Sequence, residues 1–216
     1  METGITLLCG AAIQNEWIFK PIVQMTGRGR TVLVVDGENS FRSYWIARYA
    51  REMGLDPRTA LEYVKLSRAF TCYQLAELIT QKVAPLAHAG CAGIVCLGLL
   101  ATLNDEDISL SEAGRLLSNI TAALKTLARS CPILITIRLP SRRADPRLGL
   151  VHALMRQVDK AYVIEPGAAP RIKTEADEPT LAPPAGVGAN QLALAPMLDD
   201  KCVKGNERSG KLNVEP

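Results

Sequence analysis

Short apolar runs rich in β-branched residues alternate along the chain with longer amphipathic stretches. The runs are continuously hydrophobic, which is typical of parallel strands buried on both faces of a sheet. They predict strands at Ile5–Cys9, Thr31–Asp36, Val64–Ser67, Gly93–Leu97, Ile133–Arg138 and Ala161–Glu165, with a weaker one at Arg171–Lys173. Helices are predicted at Gln14–Gln24, Phe41–Met53, Pro57–Tyr63, Thr71–Ala87, Ser111–Ser130 and Leu148–Val158. This alternation predicts a three-layer α/β/α sandwich with a mostly parallel central sheet.

The composition changes near the C-terminus. From Gly167 onward the chain is dense in Pro, Ala, Gly and acidic residues, and its last segment is polar without a helical or alternating period. Such segments cannot bury enough apolar surface to offset the entropy of ordering. We therefore expect one core domain over residues 1–182 and a disordered tail over residues 183–216.

Composition and charge narrow the class of protein. The 216 residues are 48% hydrophobic, enough for a sizeable core, and the net charge of +3 permits a nucleic-acid partner without requiring one. The six cysteines form no C-x-x-C pair, so buried reduced thiols explain them better than a metal site or disulfides. There is no run of 18 apolar residues and no signal-peptide pattern. We expect a cytoplasmic protein with no membrane partner and no bound metal.

The most specific pattern is VLVVDGENSFRSYWIARYAREMGLDPRTALEYVKLSRAF, residues 32–70. It contains a strand ending in an acid, a second acid two residues later, a Phe-Arg pair opening a helix, a Gly-Leu-Asp-Pro helix ending and a strand ending in Ser-Arg-Ala-Phe. The matching residues are Asp36, Glu38, Phe41, Arg42, Gly54–Pro57 and Ser67–Phe70. In this order they resemble the RecA-like recombinases, in particular the RadA branch, over about residues 4–180. The resemblance implies the RecA-like P-loop fold and a role in DNA recombination or repair. KaiC-type proteins share the same core.

Two interpretations of the acids after the second strand stay open. Asp36 ends a parallel strand, at the edge where α/β folds place ligands, and Glu38 follows in the loop. The resemblance implies that Glu38 polarises the water that attacks the γ-phosphate. From the residues alone, both acids also suit capping of the helix near Phe41.

The first strand and the residues after it correspond to the phosphate-binding loop of that family. Gly10 takes the place of its first glycine, Asn15 of the second, Glu16 of the lysine and Trp17 of the hydroxyl residue. That loop needs glycine for close backbone approach, lysine to neutralise phosphate and a hydroxyl for magnesium. The sequence therefore predicts a degenerate loop. It is either a purely structural strand, turn and helix, with Trp17 and Ile18 packed inward, or a site with residual ATP binding and no hydrolysis.

A second metal-related position also departs from the family pattern. In GIVCLGLL, Gly98 stands where the family has the aspartate that orients magnesium. Because two metal-holding groups are replaced, we expect catalysis to be lost and no cofactor to be held. Asp105, Glu106 and Asp107 are interpreted as a solvated acidic turn.

An arginine-rich segment follows the fifth strand. PILITIRLPSRRADPR contains Arg138, Arg142, Arg143 and Arg147, which together suit contacts to DNA phosphates. The same composition suits a protein-facing or solvated loop, since Asp145 interrupts it and no aromatic residue offers base stacking. Both interpretations stay open.

The sequence thus predicts a non-hydrolysing accessory protein in DNA recombination or repair. Its expected partners are a RecA-like recombinase or another RecA-fold subunit, and DNA. One rival is an ATPase of the same superfamily that uses Glu38. The other is a KaiC-type regulatory module without a DNA role.

Overall fold

A seven-stranded sheet forms the centre of the protein. A computed structural model describes residues 3–11, 13, 15–139, 147–164 and 171–173. The strands are β1 (Gly4–Gly10), β2 (Val32–Asp36), β3 (Val64–Arg68), β4 (Gly93–Leu97), β5 (Pro132–Arg138), β6 (Lys160–Ile164) and β7 (Arg171–Lys173). Their order across the sheet is β3-β2-β4-β5-β1-β6-β7. The first six strands are parallel and β7 pairs antiparallel with β6. This confirms the predicted mostly parallel sheet.

Helices lie on both faces of the sheet. They are α1 (Asn15–Thr26), α2 (Ser43–Glu52), α3 (Pro57–Glu62), α4 (Cys72–Glu77), α5 (Ala84–His88), α6 (Leu110–Leu127) and α7 (Leu148–Met155), with a π-helical segment at Leu78–Val83 and a 3₁₀ turn at Thr102–Asn104. Helices α1, α2 and α3 pack on one face, and α4, α5, α6 and α7 on the other. The predicted three-layer sandwich is confirmed.

Two hydrophobic clusters result from the alternation of side chains along each buried strand. In β1, Leu7 and Cys9 belong to the cluster under α4–α7, whereas Leu8 belongs to the cluster under α1–α3. All five residues of β2 and all five of β4 are buried. A strand covered on both faces favours apolar side chains at nearly every position, which is why both strands are hydrophobic throughout except for Asp36 at the end of β2.

The helix predicted over Thr71–Ala87 differs from the observed structure. The observed helix spans Cys72–His88, but its middle part, Leu78–Val83, is π-helical rather than α-helical. Pro85 explains the difference, because a proline ring inside an α-helix clashes with the carbonyl group four residues earlier. Widening the preceding turn into a π-helix relieves that clash.

The parallel strands bring four chain segments to one edge of the sheet. Gly10 of β1 lies beside Arg138 of β5, and Asp36 of β2 lies beside Leu97 of β4. Connections that leave these carboxyl ends therefore surround a common site, as expected for α/β folds.

Two further predictions concern the C-terminal tail and membrane-spanning helices. The predicted disordered tail, residues 183–216, lies outside the described residues. In the described part of the chain, no helix combines the length and apolarity needed to span a bilayer.

Candidate functional site at the carboxyl edge of the sheet

A small pocket opens at this edge. Its volume is about 210 Å³. The described residues that line it are Ala11, Ile13, Asn15, Ile18, Phe19, Glu38, Ser40, Leu97, Thr136 and Arg138. We call this set the edge pocket. This volume is smaller than the ~300–1,000 Å³ of common ligand sites.

Asp36, at the end of β2, orders the loop behind the edge pocket. Its carboxylate is fully buried and accepts hydrogen bonds from the backbone N–H groups of Ser40 and Phe41, both at 3.0 Å. The Nε of Arg68 lies 3.6 Å from the same carboxylate. Helix α2 begins two residues after Phe41, and its N-cap, Arg42, makes no side-chain capping bond. The capping interpretation is therefore wrong for the helix itself, because Asp36 binds the loop before it.

Glu38 lies directly against Gly98. A Cβ atom added to Gly98 would come within 2.5 Å of the Glu38 Cβ and Cγ atoms and 2.7 Å of its Cδ. Gly98 has a φ of +61°, in the left-handed region that favours glycine. The Gly98 N–H donates a hydrogen bond to the Thr136 Oγ1 at 3.1 Å. This bond ties the turn that follows β4 to strand β5. The Glu38 side chain thus fills the space that a side chain at position 98 would enter.

The carboxylate of Glu38 is held by Arg138. The Nε of Arg138 donates to the Glu38 Oε2 at 3.1 Å. The Glu38 side chain is 17% exposed, whereas that of Arg138 is 73% exposed. Glu38 therefore makes an ion pair across the pocket mouth and plays no part in capping α2. Arg138, predicted as a DNA contact, has an exposed side chain whose guanidinium is engaged with this acid.

Gly10 and Asn15 lie at the start and end of the predicted phosphate loop. A Cβ atom on Gly10 would come within 2.4 Å of the Ile164 carbonyl oxygen, so the pairing of β1 with β6 alone requires glycine there. Asn15 is the first residue of α1 and lines the edge pocket. Ala12 and Gln14, between them, lie outside the described residues.

Glu16 and Trp17, in the first turn of α1, make contacts within the fold. The Glu16 carboxylate accepts a hydrogen bond from the Lys20 Nζ at 3.2 Å. The same ammonium group lies 5.4 Å from the centre of the Tyr49 ring, so this ion pair leans toward α2. Trp17 is partly buried and packs against the cluster under α1–α3, and Ile18 is buried there. Trp17 and Ile18 thus point inward, as the structural interpretation predicted.

The predicted DNA-binding arginines are distributed unevenly. Arg142 and Arg143 lie outside the described residues. Arg147 lies just before α7, and its guanidinium donates to the carbonyl oxygens of Leu103, Asp105 and Ile108, the last at 2.9 Å. It therefore anchors the loop that carries the exposed acids Asp105, Glu106 and Asp107. These contacts give Arg147 a structural role that its place in an arginine-rich segment did not reveal.

We expect Arg147→Lys to lower the free energy of unfolding by about 2 kcal/mol, since hydrogen bonds from charged donors contribute ~1.5–3 kcal/mol. A lysine keeps the charge but lacks the planar fork that reaches three carbonyl groups. Urea denaturation measures the loss. Arg129→Lys, at an exposed position after α6, is the control, and equal stability of the two variants would contradict the anchoring role.

Sequence reasoning missed two polar residues of the edge pocket, Ser40 and Thr136. Thr136 offered a signal, because it is the one hydroxyl side chain in the buried run ILITI. Its oxygen accepts the Gly98 N–H across β5 and β4. Ser40 offered none, since polar residues are common in loops. Among the described residues, no group of three or more His, Cys, Asp or Glu side chains is placed to hold a metal ion.

Comparison with known proteins supplies the family. A search of curated proteins finds no match to the chain. The protein-family model called Rad51 matches residues 3–138, which include β1 through β5 and every residue of the edge pocket. The match covers well over half of the chain and agrees with the RecA-like resemblance of residues 32–70 and with the observed sheet. The chain therefore belongs to the Rad51 family of RecA-like recombinases.

Proposed function

We propose that this protein is a non-hydrolysing accessory of RecA-like recombinases in DNA recombination or repair. Membership of the Rad51 family supports the process. The accessory role rests on the edge pocket, whose chemistry fits a magnesium-bound triphosphate poorly. The observation that carries the proposal is the position of Glu38 against Gly98, in an ion pair with Arg138.

Glu38 is poorly placed to activate water. A general base must reach the water from which it takes a proton, directly or through one further water. Here the side chain is 17% exposed, lies on Gly98 and binds a guanidinium. Releasing it breaks the ion pair and moves a carboxylate whose place is set by the β4 turn.

The charge of the pocket also opposes a triphosphate. Phosphoryl-transfer sites surround the γ-phosphate with cations and a metal ion. Among the described lining residues, Arg138 is the only cation, and Glu38 balances its charge. Position 16, where the family carries lysine, is an acid paired with Lys20 one turn further along α1. Position 98 has no carboxylate to orient magnesium.

Steric space gives a third argument. The edge pocket holds about 210 Å³, and it would have to expand to admit a nucleotide with its metal. A carboxylate restored at position 98 would collide with Glu38, so the two acids exclude one another in this arrangement.

Hydrolysis tests the proposal directly. We expect magnesium-dependent ATP turnover by the wild-type protein to equal that of Glu38→Gln, at background level, with and without DNA. Appreciable turnover that disappears in Glu38→Gln would overturn the proposal and establish the ATPase interpretation. Glu62→Gln, an exposed change at the end of α3, controls for the loss of one carboxylate.

DNA binding separates the accessory role from a KaiC-type regulatory module. We expect filter binding to detect DNA affinity that falls with salt, because phosphate contacts release counterions. The double variant Arg142→Ala, Arg143→Ala should weaken binding, whereas Arg51→Ala, Arg58→Ala, on the exposed surface of α2 and α3, should not. Equal DNA affinity of the two double variants would show that Arg142 and Arg143 do not contribute to DNA binding. Absence of DNA binding by the wild-type protein would favour the regulatory module.

A further inference from the structure

Two buried cysteines lie beside each other at the edge of the sheet opposite the edge pocket. Cys91 precedes β4 by two residues and Cys131 precedes β5 by one. The parallel register pairs Ile94 with Ile133. Continued toward the N-terminal ends of the strands, it sets Ala92 opposite Cys131, with Cys91 one residue further along.

This placement suits a disulfide. Neighbouring strands are about 4.8 Å apart, and one residue advances about 3.3 Å along a strand. The Cα atoms of Cys91 and Cys131 are therefore roughly 6 Å apart, inside the ~4.4–6.8 Å that disulfides span. Both side chains belong to the same hydrophobic cluster, under α4–α7, so they lie on the same face of the sheet. Both cysteines are free, and they are 5% and 2% exposed respectively.

The surroundings favour a thiolate at Cys91. The hydrogen bond from Cys131 holds the pKa of the Cys91 thiol below its usual range, and the positive charge of Arg30 acts in the same direction. That guanidinium donates to the Cys91 carbonyl oxygen at 3.2 Å. Cys131 in turn has a raised pKa, chiefly because of its hydrogen bond with Cys91, and its Sγ lies 3.6 Å from the Leu127 carbonyl oxygen. A thiol with a lowered pKa beside a second thiol has two of the features of an oxidation-sensitive pair.

Other buried cysteines provide a contrast. Cys96 lies in the centre of β4, and burial raises its pKa to about 12. Burial also raises the pKa of Cys72. Neither of these cysteines carries the features that make a thiol reactive.

We propose that Cys91 and Cys131 form a site of reversible oxidation, in which a hydroperoxide converts the two neighbouring thiols into a disulfide. The Cys91 thiolate attacks the peroxide oxygen, the O–O bond breaks, and a sulfenic acid forms with release of water or alcohol. The Cys131 thiol then attacks that sulfur, the S–O bond breaks and water leaves. Two thiols are oxidised and one peroxide is reduced. Dithiols reverse the step by thiol exchange.

The disulfide would link the starts of β4 and β5, two central strands. It lies at the sheet edge opposite Glu38 and Arg138, so the site does not depend on the proposed accessory function.

Peptide mapping of the folded wild-type protein tests the site. The protein is treated with hydrogen peroxide, denatured in an alkylating reagent and digested with trypsin without reduction. We expect peptide 83–115, which contains Cys91 and Cys96, to be linked to peptide 130–138, which contains Cys131. Dithiothreitol should release both peptides. The linked peptides should persist in Cys96→Ala and be absent in Cys91→Ala.

Recovery of both wild-type peptides as alkylated thiols after peroxide treatment would overturn the proposal. So would conversion of Cys91 to a sulfinic acid without linkage, or a linkage that survives in Cys91→Ala and disappears in Cys96→Ala. The first two outcomes are measured on the wild-type protein, and the third compares Cys91→Ala with Cys96→Ala. The proposal can therefore still be tested if one variant folds poorly.

Discussion

We expect Asp36→Ala to lower the free energy of unfolding by about 3 kcal/mol. The substitution removes the acceptor for the backbone N–H groups of Ser40 and Phe41. A buried donor left without a partner costs ~1–3 kcal/mol. It also leaves Arg68 without the fully buried acid beside it. Urea denaturation followed by circular dichroism measures the change.

Two comparisons make this prediction specific. Asp36→Asn keeps one acceptor oxygen, although its amide N–H₂ group faces a backbone donor. Its loss of free energy of unfolding should therefore be smaller than that of Asp36→Ala. Asp107→Ala removes an exposed carboxylate from the acidic loop and should stay within about 0.5 kcal/mol of wild type. A loss in Asp36→Ala no larger than that of Asp107→Ala would show that Asp36 does not order the loop.

Gly98→Ala should lower the free energy of unfolding by about 3 kcal/mol. Two costs combine at this position. A residue with a Cβ atom loses about 1–2 kcal/mol in the left-handed conformation that Gly98 adopts. Contact at 2.5 Å with the Glu38 Cβ and Cγ atoms forces a further shift, and overpacking of this kind costs about 1–3 kcal/mol.

A double-mutant cycle isolates the contact with Glu38. Combining Gly98→Ala with Glu38→Gly removes the colliding atoms but leaves the backbone cost, so part of the loss should be recovered. Gly114→Ala, in α6 with no atom near its added Cβ, is the control and should stabilise the helix by about 1 kcal/mol. If the double variant loses as much free energy of unfolding as the two single variants together, Glu38 does not occupy the space beside Gly98.

The sheet could be predicted because burial on both faces leaves a direct trace in the sequence. Strand β4 is apolar at every position and β2 is apolar up to the buried Asp36 at its end, and no surface helix has that pattern. The π-helical segment before Pro85 could not be predicted, since the hydrophobic spacing of that helix stays nearly unchanged. The family followed from a fixed order of residues over one segment, and the match to Rad51 agrees with it.

The site was only partly predictable, because its decisive contacts join distant residues. Glu38 and Arg138 are 100 positions apart, and no local pattern links them. The sequence offered Gly98 as a missing acid, yet only the structure reveals that Glu38 fills the space. Likewise Arg147 belongs to an arginine-rich segment by composition, while its three carbonyl partners come from the loop after β4.

Titration of the purified protein with a fluorescent ATP analogue and magnesium tests the central claim most directly. The ion pair between Glu38 and Arg138, the turn at Gly98 and the small edge pocket predict no saturable binding up to ~1 mM, an affinity of about −4 kcal/mol. Saturable binding at micromolar concentrations, displaced by unlabelled ATP, would contradict it.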